Sequence, residues 1–470
     1  MNILIKLAIG LGIPFIIILI PPEAYPITGM TVVETRVIAI FMLAALFWVL
    51  EPIPIYATSL LVILLELITL SDKGFKPLVK SNTDNFGTLV SYKAIMATFA
   101  SPIIILFLGG FFLAMAATKY RLDQNLARVL LKPFGSNPKF VMLGLMLITA
   151  VFSMFMSNTA TTAMMLSILV PVLAVFENND RGRIAFSLAI PFAANVGGIG
   201  TPIGTPPNAI ALKYLTGEHA ISFGAWMAFA VPYVVIMLFI AWILLIVFYP
   251  PAPRAFKLTI KGKFLKTPQA LIVYITFAIT ILLWLTDFLH GMNSYVVAMI
   301  PVAVFSVTSI ITKEDLKRIS WDVLWLVSGG IALGLALEQS GLAQHVVHSI
   351  PFERFSPLII IFMVSVVALL MANFMSHTAT ANLLLPLVAA LGTSLAGLEN
   401  FDSMKTLLLS VTFACSLGMS LPISTPPNAL AFATGNCETR DMARMGVSIG
   451  IIGILMSFLM IYLLKMINFL

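Results

Sequence analysis

Two short polar signatures each occur twice in an otherwise apolar chain. Ser157-Asn158-Thr159-Ala160-Thr161 recurs as Ser376-His377-Thr378-Ala379-Thr380, and Pro202-Ile203-Gly204-Thr205-Pro206-Pro207-Asn208-Ala209 recurs as Pro422-Ile423-Ser424-Thr425-Pro426-Pro427-Asn428-Ala429. Ser, Thr and Asn are helix-capping residues and proline favours the first helical position, so Thr205-Pro206-Pro207 and Thr425-Pro426-Pro427 each read as a helix start. Ser157-Asn158-Thr159 and Ser376-His377-Thr378 likewise stand ahead of apolar helices. A helix N-terminus offers unbonded N–H donors and about half a positive charge, so it holds an anion without any basic side chain. Four such ends converging near one point suit two carboxylates, and no Lys or Arg lies within any of the four segments.

Neutral donors alone hold a dianion weakly in a low-dielectric site, so accompanying cations are expected. The Gly197-Gly198-Ile199-Gly200 stretch is expected to free carbonyl oxygens, while Ser153, Ser157 and Asn158 add side-chain oxygens. These are hard ligands of the kind that bind Na+ in transporters with broken helices. No organic cofactor is expected.

The elements that must position these residues are membrane helices. The chain has 470 residues, 60% hydrophobic and 10% charged, with a mean hydropathy of +1.03. Apolar runs of about 17–25 residues, the length that spans a hydrocarbon core, recur along nearly the whole chain. Their continuity excludes a transmembrane β-barrel, whose strands alternate. Spans are expected near 3–20, 36–50, 54–70, 95–117, 184–212, 222–249, 268–286, 294–312, 321–338, 404–432 and 444–468. The first lacks a small-residue cleavage site and reads as a retained helix. Two further stretches, 139–176 and 356–397, are interrupted by the polar signatures and read as re-entrant hairpins, and 119–138 and 339–355 read as interfacial helices. The fold class expected is thus an all-α polytopic membrane protein with about eleven crossings and two hairpins. With the N-terminus cytoplasmic and the C-terminus outside, 18 of the 27 basic residues fall on the inner side, in keeping with the positive-inside rule. The expected location is a bacterial plasma (inner) membrane.

The signatures also divide the chain. Gly109-Gly110 matches Gly329-Gly330, with Ala116, Leu122 and Gln124 matching Ala336, Leu342 and Gln344, at the same 219–220-residue offset as the polar motifs. An N-terminal helix (1–35), a first repeat (36–249), a cytoplasmic linker (250–267) and a second repeat (268–470) follow. Each repeat has an odd number of crossings, so the copies are expected to be inverted, as in many secondary transporters. Each contains a hairpin (139–176, 356–397) and a broken helix (184–212, 404–432), because irregular backbone at membrane depth is tolerated only against protein or a water-filled cavity.

The paired Ser-Asn-Thr and Thr-Pro-Pro-Asn motifs, together with the Glu51-Pro52-Ile53-Pro54 turn, resemble the divalent anion–sodium symporter family of di- and tricarboxylate transporters over nearly the whole chain. The resemblance implies a homodimer in which scaffold and transport domains, interleaved across both repeats, work as an elevator. It implies that Ser157, Asn158 and Thr159 contact one carboxylate and Ser376, His377 and Thr378 the other. Thr205-Pro206 and Thr425-Pro426 would close the site. A first Na+ would lie among Ser153, Ser157, Asn158 and Gly204. At the second site this chain departs from the family, since His377 replaces the asparagine and Ala372 stands at the position of Ser153. Imidazole is a poor Na+ ligand, which leaves backbone carbonyls of Met375, His377 and Ser424. Sodium bound through those carbonyls, a proton on His377, or exchange of one dicarboxylate for another are the three couplings open to such a site. C4-dicarboxylates such as succinate, malate and fumarate lead as substrates, with citrate and sulfate as alternatives.

Blander readings stand beside these. One Ser-Asn-Thr in a membrane helix is usually a packing contact; the ordered duplication argues otherwise. His377 has a structural alternative, as donor to a neighbouring carbonyl. His345 and His348 read as an interfacial helix face, and the glycine pairs as close helix packing. Glu51, Glu66, Asp322 and Glu338 lie near span ends and are expected to meet headgroups, since a proton relay needs buried groups. A hydrolase would need a nucleophile with its base or a metal pair, and none is visible, so no enzyme is expected. A channel or receptor leaves the duplicated broken helices unexplained. Lipid and a small dianion are the partners expected, and no nucleic acid.

Overall fold

The computed structural model describes residues 2–27, 29–79, 85–174, 176–177, 180–252, 263–349, 355–394 and 403–466. All regular secondary structure among them is helical. The first half contains α1 (Ile3–Leu19), α2 (Val32–Leu50), α3 (Ile55–Thr69), α4 (Lys76–Val79), α5 (Tyr92–Ala97), α6 (Pro102–Lys119), α7 (Leu122–Leu131), α8 (Pro138–Ser153), α9 (Asn158–Leu173), α10 (Arg181–Gly198), α11 (Pro206–Tyr214) and α12 (Phe223–Phe248). The second contains α13 (Pro268–Leu285), α14 (Asp287–His290), α15 (Ser294–Val307), α16 (Lys313–Leu316), α17 (Trp321–Gln339), α18 (Leu342–Ser349), α19 (Pro357–Phe374), α20 (His377–Ser394), α21 (Ser403–Ser416), α22 (Pro426–Ala433) and α23 (Thr439–Met466).

Among the described residues, seven helical stretches are long and apolar enough to cross a membrane, including α2, α12, α13, α17, α19 and α23, with shorter apolar helices between them. The expected 95–117 span is not one continuous α-helix. The chain forms α5, a 3-10 turn over Thr98–Ala100, and then α6, which restarts at Pro102. Proline at the first helical position explains the restart, because its ring and missing N–H forbid a continuous ladder through Ser101. The linker expected at 250–267 lies mostly outside the described residues, as do Arg254, Lys257 and Lys261 within it.

The interrupted stretches break at the polar signatures. Only residues 154–157 separate α8 from α9, and only Met375 and Ser376 separate α19 from α20. Packing exchanges helices between the halves: α3 lies along α17 and α15 along α6. Glycines allow both approaches, since a side chain at Gly329 would strike Ser59 of α3 and one at Gly109 would strike Ala298 of α15. A second set of contacts joins α8 to α10, α19 to α21, α9 to α22, α20 to α11, and α12 to α23. Each tip helix therefore rests on the short helix that follows the break in the opposite half.

The headgroup reading fails for Glu66, which is wholly buried on α3. Helix α17 lies along that helix, so the carboxylate points into protein although it sits near a span end.

Candidate functional site

The four broken segments converge on one cavity of about 370 Å³. Ser157, Asn158 and Thr159 line it from the first tip and Ser376, His377 and Thr378 from the second, with Gly204, Thr205, Pro206, Ser424, Thr425 and Pro426 between them. Phe107 and Phe111 of α6 and Val323 and Leu326 of α17 supply an apolar wall. No lysine or arginine is among the lining residues. Two Na+ candidates lie outside the lining: Ser153 is buried behind it, and so is Met375.

Local capping explains where the donors point. Ser157 Oγ accepts from Ala160 N at 3.2 Å and Ser376 Oγ from Ala379 N at 3.1 Å, which caps α9 and α20 with their first N–H groups near the cavity. Thr425 Oγ1 caps α22 by accepting from Asn428 N at 3.2 Å, and Asn195 Nδ2 also donates to it at 3.1 Å. Thr205 holds the cap position of α11 without a capping bond, contrary to the symmetric expectation. Its buried hydroxyl has no partner among the described residues, although the residue lines the cavity. A donor left unbonded there costs stability unless a ligand takes it.

The first cation cluster is assembled around Asn158. Ser153 Oγ lies 2.6 Å from Asn158 Oδ1 and 2.7 Å from Ala194 O, so one hydroxyl proton faces two acceptors. With the amide turned about, its nitrogen would donate to Gly204 O at 3.1 Å, Ala194 O at 3.3 Å and Ser153 Oγ at 2.6 Å. Two hydroxyl or amide oxygens and two carbonyls thus surround one point, and either an amide nitrogen or a cation satisfies them. This donor set fits Na+. The expectation of free carbonyls over Gly197–Gly200 fails at three of the four residues: Gly197 O accepts from Gly200 N at 2.9 Å and Gly198 O from Asn208 Nδ2 at 3.3 Å. Ile199 O is occupied by Asn208 Nδ2 at 3.0 Å and Trp226 Nε1 at 3.1 Å, because the break would otherwise leave it unbonded inside the protein.

The second cluster is built differently. Ala372 offers no side-chain oxygen, and a side chain at Gly418 would strike it, so α19 and the end of α21 meet closely here. His377 is buried, with Nε2 2.7 Å from Gly418 O. A ring nitrogen bound to a carbonyl must carry the proton, so the neutral tautomer is Nε2–H and the ring donates to Gly418 O. Ser424 Oγ donates to Asn373 O at 2.7 Å and accepts from Leu421 N at 3.1 Å. Its hydroxyl is thereby committed internally. Asn373 Oδ1 accepts from Ser420 N at 2.8 Å, completing a second break held by protein groups alone.

The roles of several residues at or near the cavity were not foreseen from the sequence. Asn195 of α10 lines the cavity and bridges to Thr425 and Asn428 of the other half. An amide inside an apolar helix, two residues before a glycine pair, was its signal. Asn208 and Asn428 act as stitches: Asn208 Nδ2 donates to Ile199 O and, at 2.8 Å, to Thr201 O, and Asn428 Nδ2 to Met419 O and Leu421 O at 2.8 and 3.0 Å. Asp322, exposed at the start of α17, is also among the residues lining the cavity. His345 Nδ1 lies 2.8 Å from the buried Glu34 carboxylate, so that helix face is tied down.

A second space of about 400 Å³ adjoins the first, sharing Phe111, Met156, Ser157 and Ser320 with it. Lys119, Asp315 and Arg318 line it. Lys119 Nζ donates to Asp315 Oδ2 at 2.5 Å and to Ile310 O at 2.8 Å. Burial alone would raise the Asp315 carboxyl, but the bonds from Lys119 and Thr312 prevail and hold it at about 2. The cavity thus opens past the Ser157 tip through a charged vestibule.

Comparison with known proteins accords with this geometry. A family profile described as "Sodium:sulfate symporter transmembrane region" matches residues 2–468. The chain is 31% identical over 471 residues to the sodium-dependent dicarboxylate transporter SdcS of Staphylococcus saprophyticus, covering 91% of this chain and 85% of the relative. It is 30% identical over 465 residues to the sodium-dependent high-affinity dicarboxylate transporter 3 of Caenorhabditis elegans, covering 86% and 78%. Among solved structures, the YdaH transporter of Alcanivorax borkumensis shares the fold with a TM-score of 0.53 at 13% identity, over 78% of this chain and 87% of that one. The all-helical membrane chain, with its two broken, capped copies of one signature, belongs to the divalent anion–sodium symporter family.

Proposed function

We propose that the protein is a Na+-coupled carrier of C4-dicarboxylates, working by alternating access from a plasma membrane with its N-terminus cytoplasmic. The observation that carries this reading is the cavity itself. Two hydroxyl-bearing tips and two helix starts surround it, no basic side chain lines it, and an oxygen cluster for one cation stands directly behind it. Neutral donors at helix ends bind carboxylates and release them again, which a carrier needs and a lysine-lined trap would hinder. The dicarboxylate-transporter names of the relatives favour this substrate class over sulfate or citrate.

The reading assigns one carboxylate to Ser157, Asn158 and Thr159 and the other to Ser376, His377 and Thr378, with the unbonded Thr205 hydroxyl as an additional donor. Ser153, Asn158 and the Ala194 and Gly204 carbonyls form the Na+ site, beside Ser157. Two inverted repeats, 36–249 and 268–470, would supply a moving body (α8–α12 with α19–α23) and a static one (α2, α3, α6, α13, α15 and α17), and a homodimer would anchor the static part. A single Na+ per cycle, with the His377 imidazole standing in for the second, is favoured by the His377–Gly418 bond. Proton coupling at His377 and dicarboxylate exchange are the competing outcomes.

The test is succinate flux into liposomes containing the purified protein, under imposed Na+ and proton gradients. Uptake driven by Na+ and saturable by succinate is expected. Flux that ignores both gradients and requires internal dicarboxylate would replace symport with exchange, and non-saturable flux would point to a channel.

A further inference from the structure

We propose that the charged vestibule is a second anion-binding site, in which Arg318 holds one carboxylate of a small dicarboxylate outside the central cavity. This site rests on the carrier reading above, since it would receive the same dianion on its way into or out of the cavity.

The central cavity offers an anion no attraction at long range. No base lines it, and Asp322 is its one acidic lining residue among the described residues. Attraction for a dianion must therefore come from the surroundings. The vestibule shares Ser157 and Ser320 with the cavity, so the two spaces meet at the first tip. Three charged residues line it: Lys119, Asp315 and Arg318.

The turn that carries Arg318 leaves it as the surplus charge. Ser309 adopts a left-handed conformation (φ 54°), Thr312 and Asp315 cap each other reciprocally, and Trp321 Nε1 donates to Leu316 O at 2.9 Å. Ile310, Ile311 and Ile319 are buried and anchor the segment, and Lys119 Nζ ties it to the end of α6 by donating to Ile310 O at 2.8 Å. Both acids of the turn are engaged. Glu314 pairs with Lys317 at 2.8 Å, and Asp315 Oδ2 accepts from Lys119 Nζ at 2.5 Å and from Thr312 N and Oγ1 at 2.8 Å. Lys119 is thereby neutralised. Arg318 follows, next to the buried Ile319; it is exposed and has no carboxylate partner among the described residues.

A guanidinium presents a planar fork of donors that matches a carboxylate in two parallel bonds. In a solvated space such a pair is weak and screened by salt. Weakness suits a waiting position, because it raises the anion concentration beside the Ser157 tip without trapping the ligand. The other half does not repeat the arrangement. By the offset that aligns the glycine pairs, Thr98 and Gln339 stand at the positions of Arg318 and Lys119.

The experiment uses the full chain, purified in detergent, with Ala160→Cys as a reporter. Ala160 is exposed and lines the vestibule, while Cys415 and Cys437 are buried. Two thiosulfonate reagents of similar size, one bearing a sulfonate and one a quaternary ammonium, modify this cysteine, and the ratio of their rates reads the local potential. Arg318→Gln should lower the anionic-to-cationic ratio about fivefold or more at ~0.02 M ionic strength. The difference should close by about 0.5 M, where screening acts within a few ångströms. Arg318→Lys should keep most of the ratio, and Lys317→Gln, on the same turn but outside the lining, should change it little. Protection is then measured without Na+ in an Asn158→Ala background, which disables the central site. Millimolar succinate should slow the sulfonate reagent about threefold or more when Arg318 is present, and should not when Arg318→Gln is added. A ratio unmoved by Arg318→Gln, or succinate that slows both chains alike, would overturn the site. Failure of the carrier reading has a different signature: the parent would take up no succinate into liposomes, although the rate ratio and the protection persist.

Discussion

Thr205 and Thr425 occupy matching positions, yet their hydroxyls have opposite engagements. Thr425 caps α22 and receives Asn195, whereas Thr205 is unbonded beside the cavity. Thr205→Val should therefore leave thermal stability near that of the parent and raise the KM for succinate about tenfold, the worth of one hydrogen bond to a charged ligand. Thr425→Val should do the reverse first, lowering the melting temperature measurably, since it strips a cap and a buried amide of their partner. The comparison of melting curves with uptake kinetics separates the two roles. His377 belongs to the same scale. Its ring donates to Gly418 O, so His377→Asn restores a side-chain oxygen of the kind Asn158 provides. A steeper Na+ dependence of uptake is expected, with the Hill coefficient rising from about 1 toward 2. An unchanged coefficient would show that Ala372, which remains, already forbids the second ion.

At the scale of elements, each broken helix survives because an asparagine one turn beyond the break ties its loose carbonyls. Asn208 bonds to Ile199 O and Thr201 O, and Asn428 bonds to Met419 O and Leu421 O. Lipid offers no substitute for these bonds, and water would compete with the ligand. Asn208→Ala should destabilise the fold by about 2–3 kcal/mol, the cost of leaving buried carbonyls unsatisfied. Its effect on succinate affinity should be accompanied by lost stability, unlike that of Thr205→Val, and a detergent melting curve of each variant distinguishes them. The Thr-Pro-Pro-Asn signature is thus partly structural. Its proline starts the helix, its threonine caps the helix in the second copy and is left unbonded in the first, and its asparagine holds the preceding helix end.

For the molecule as a whole, the vestibule gives a pH handle at an ion pair away from the polar signatures. Lys119 at the end of α6 clamps Asp315 of α16, and the Asp315 carboxyl is held at about 2, below its ordinary value near 3.9. A carboxyl with a depressed folded value contributes stability above its unfolded value and loses it as pH falls through the folded one. The melting-temperature gap between the parent and Asp315→Asn should stay constant from pH 7 down to about 5. It should close between about pH 4 and 2, and a gap that persists to the lowest pH would mean that the ion pair is not its source.

The helical membrane class, the four breaks and the residues at their tips were all legible in the sequence, because hydropathy and capping are local properties and the duplication repeats them in order. Pro206 and Pro426 set the helix starts from neighbouring residues alone, and Ser157 and Ser376 needed only the N–H groups three residues ahead. What the sequence did not disclose depends on partners distant in the chain. Glu66 looked like a headgroup residue until α17 covered it, and Lys213 meets α17 more than a hundred residues away. Asn195 gained its role from Thr425, and Thr205 differs from Thr425 because Asn195 points toward one of them only. Local chemistry determined that this chain builds the same pair of capped helix breaks twice. Only tertiary packing, which decides what each polar atom finds across a helix interface, made the two copies unequal.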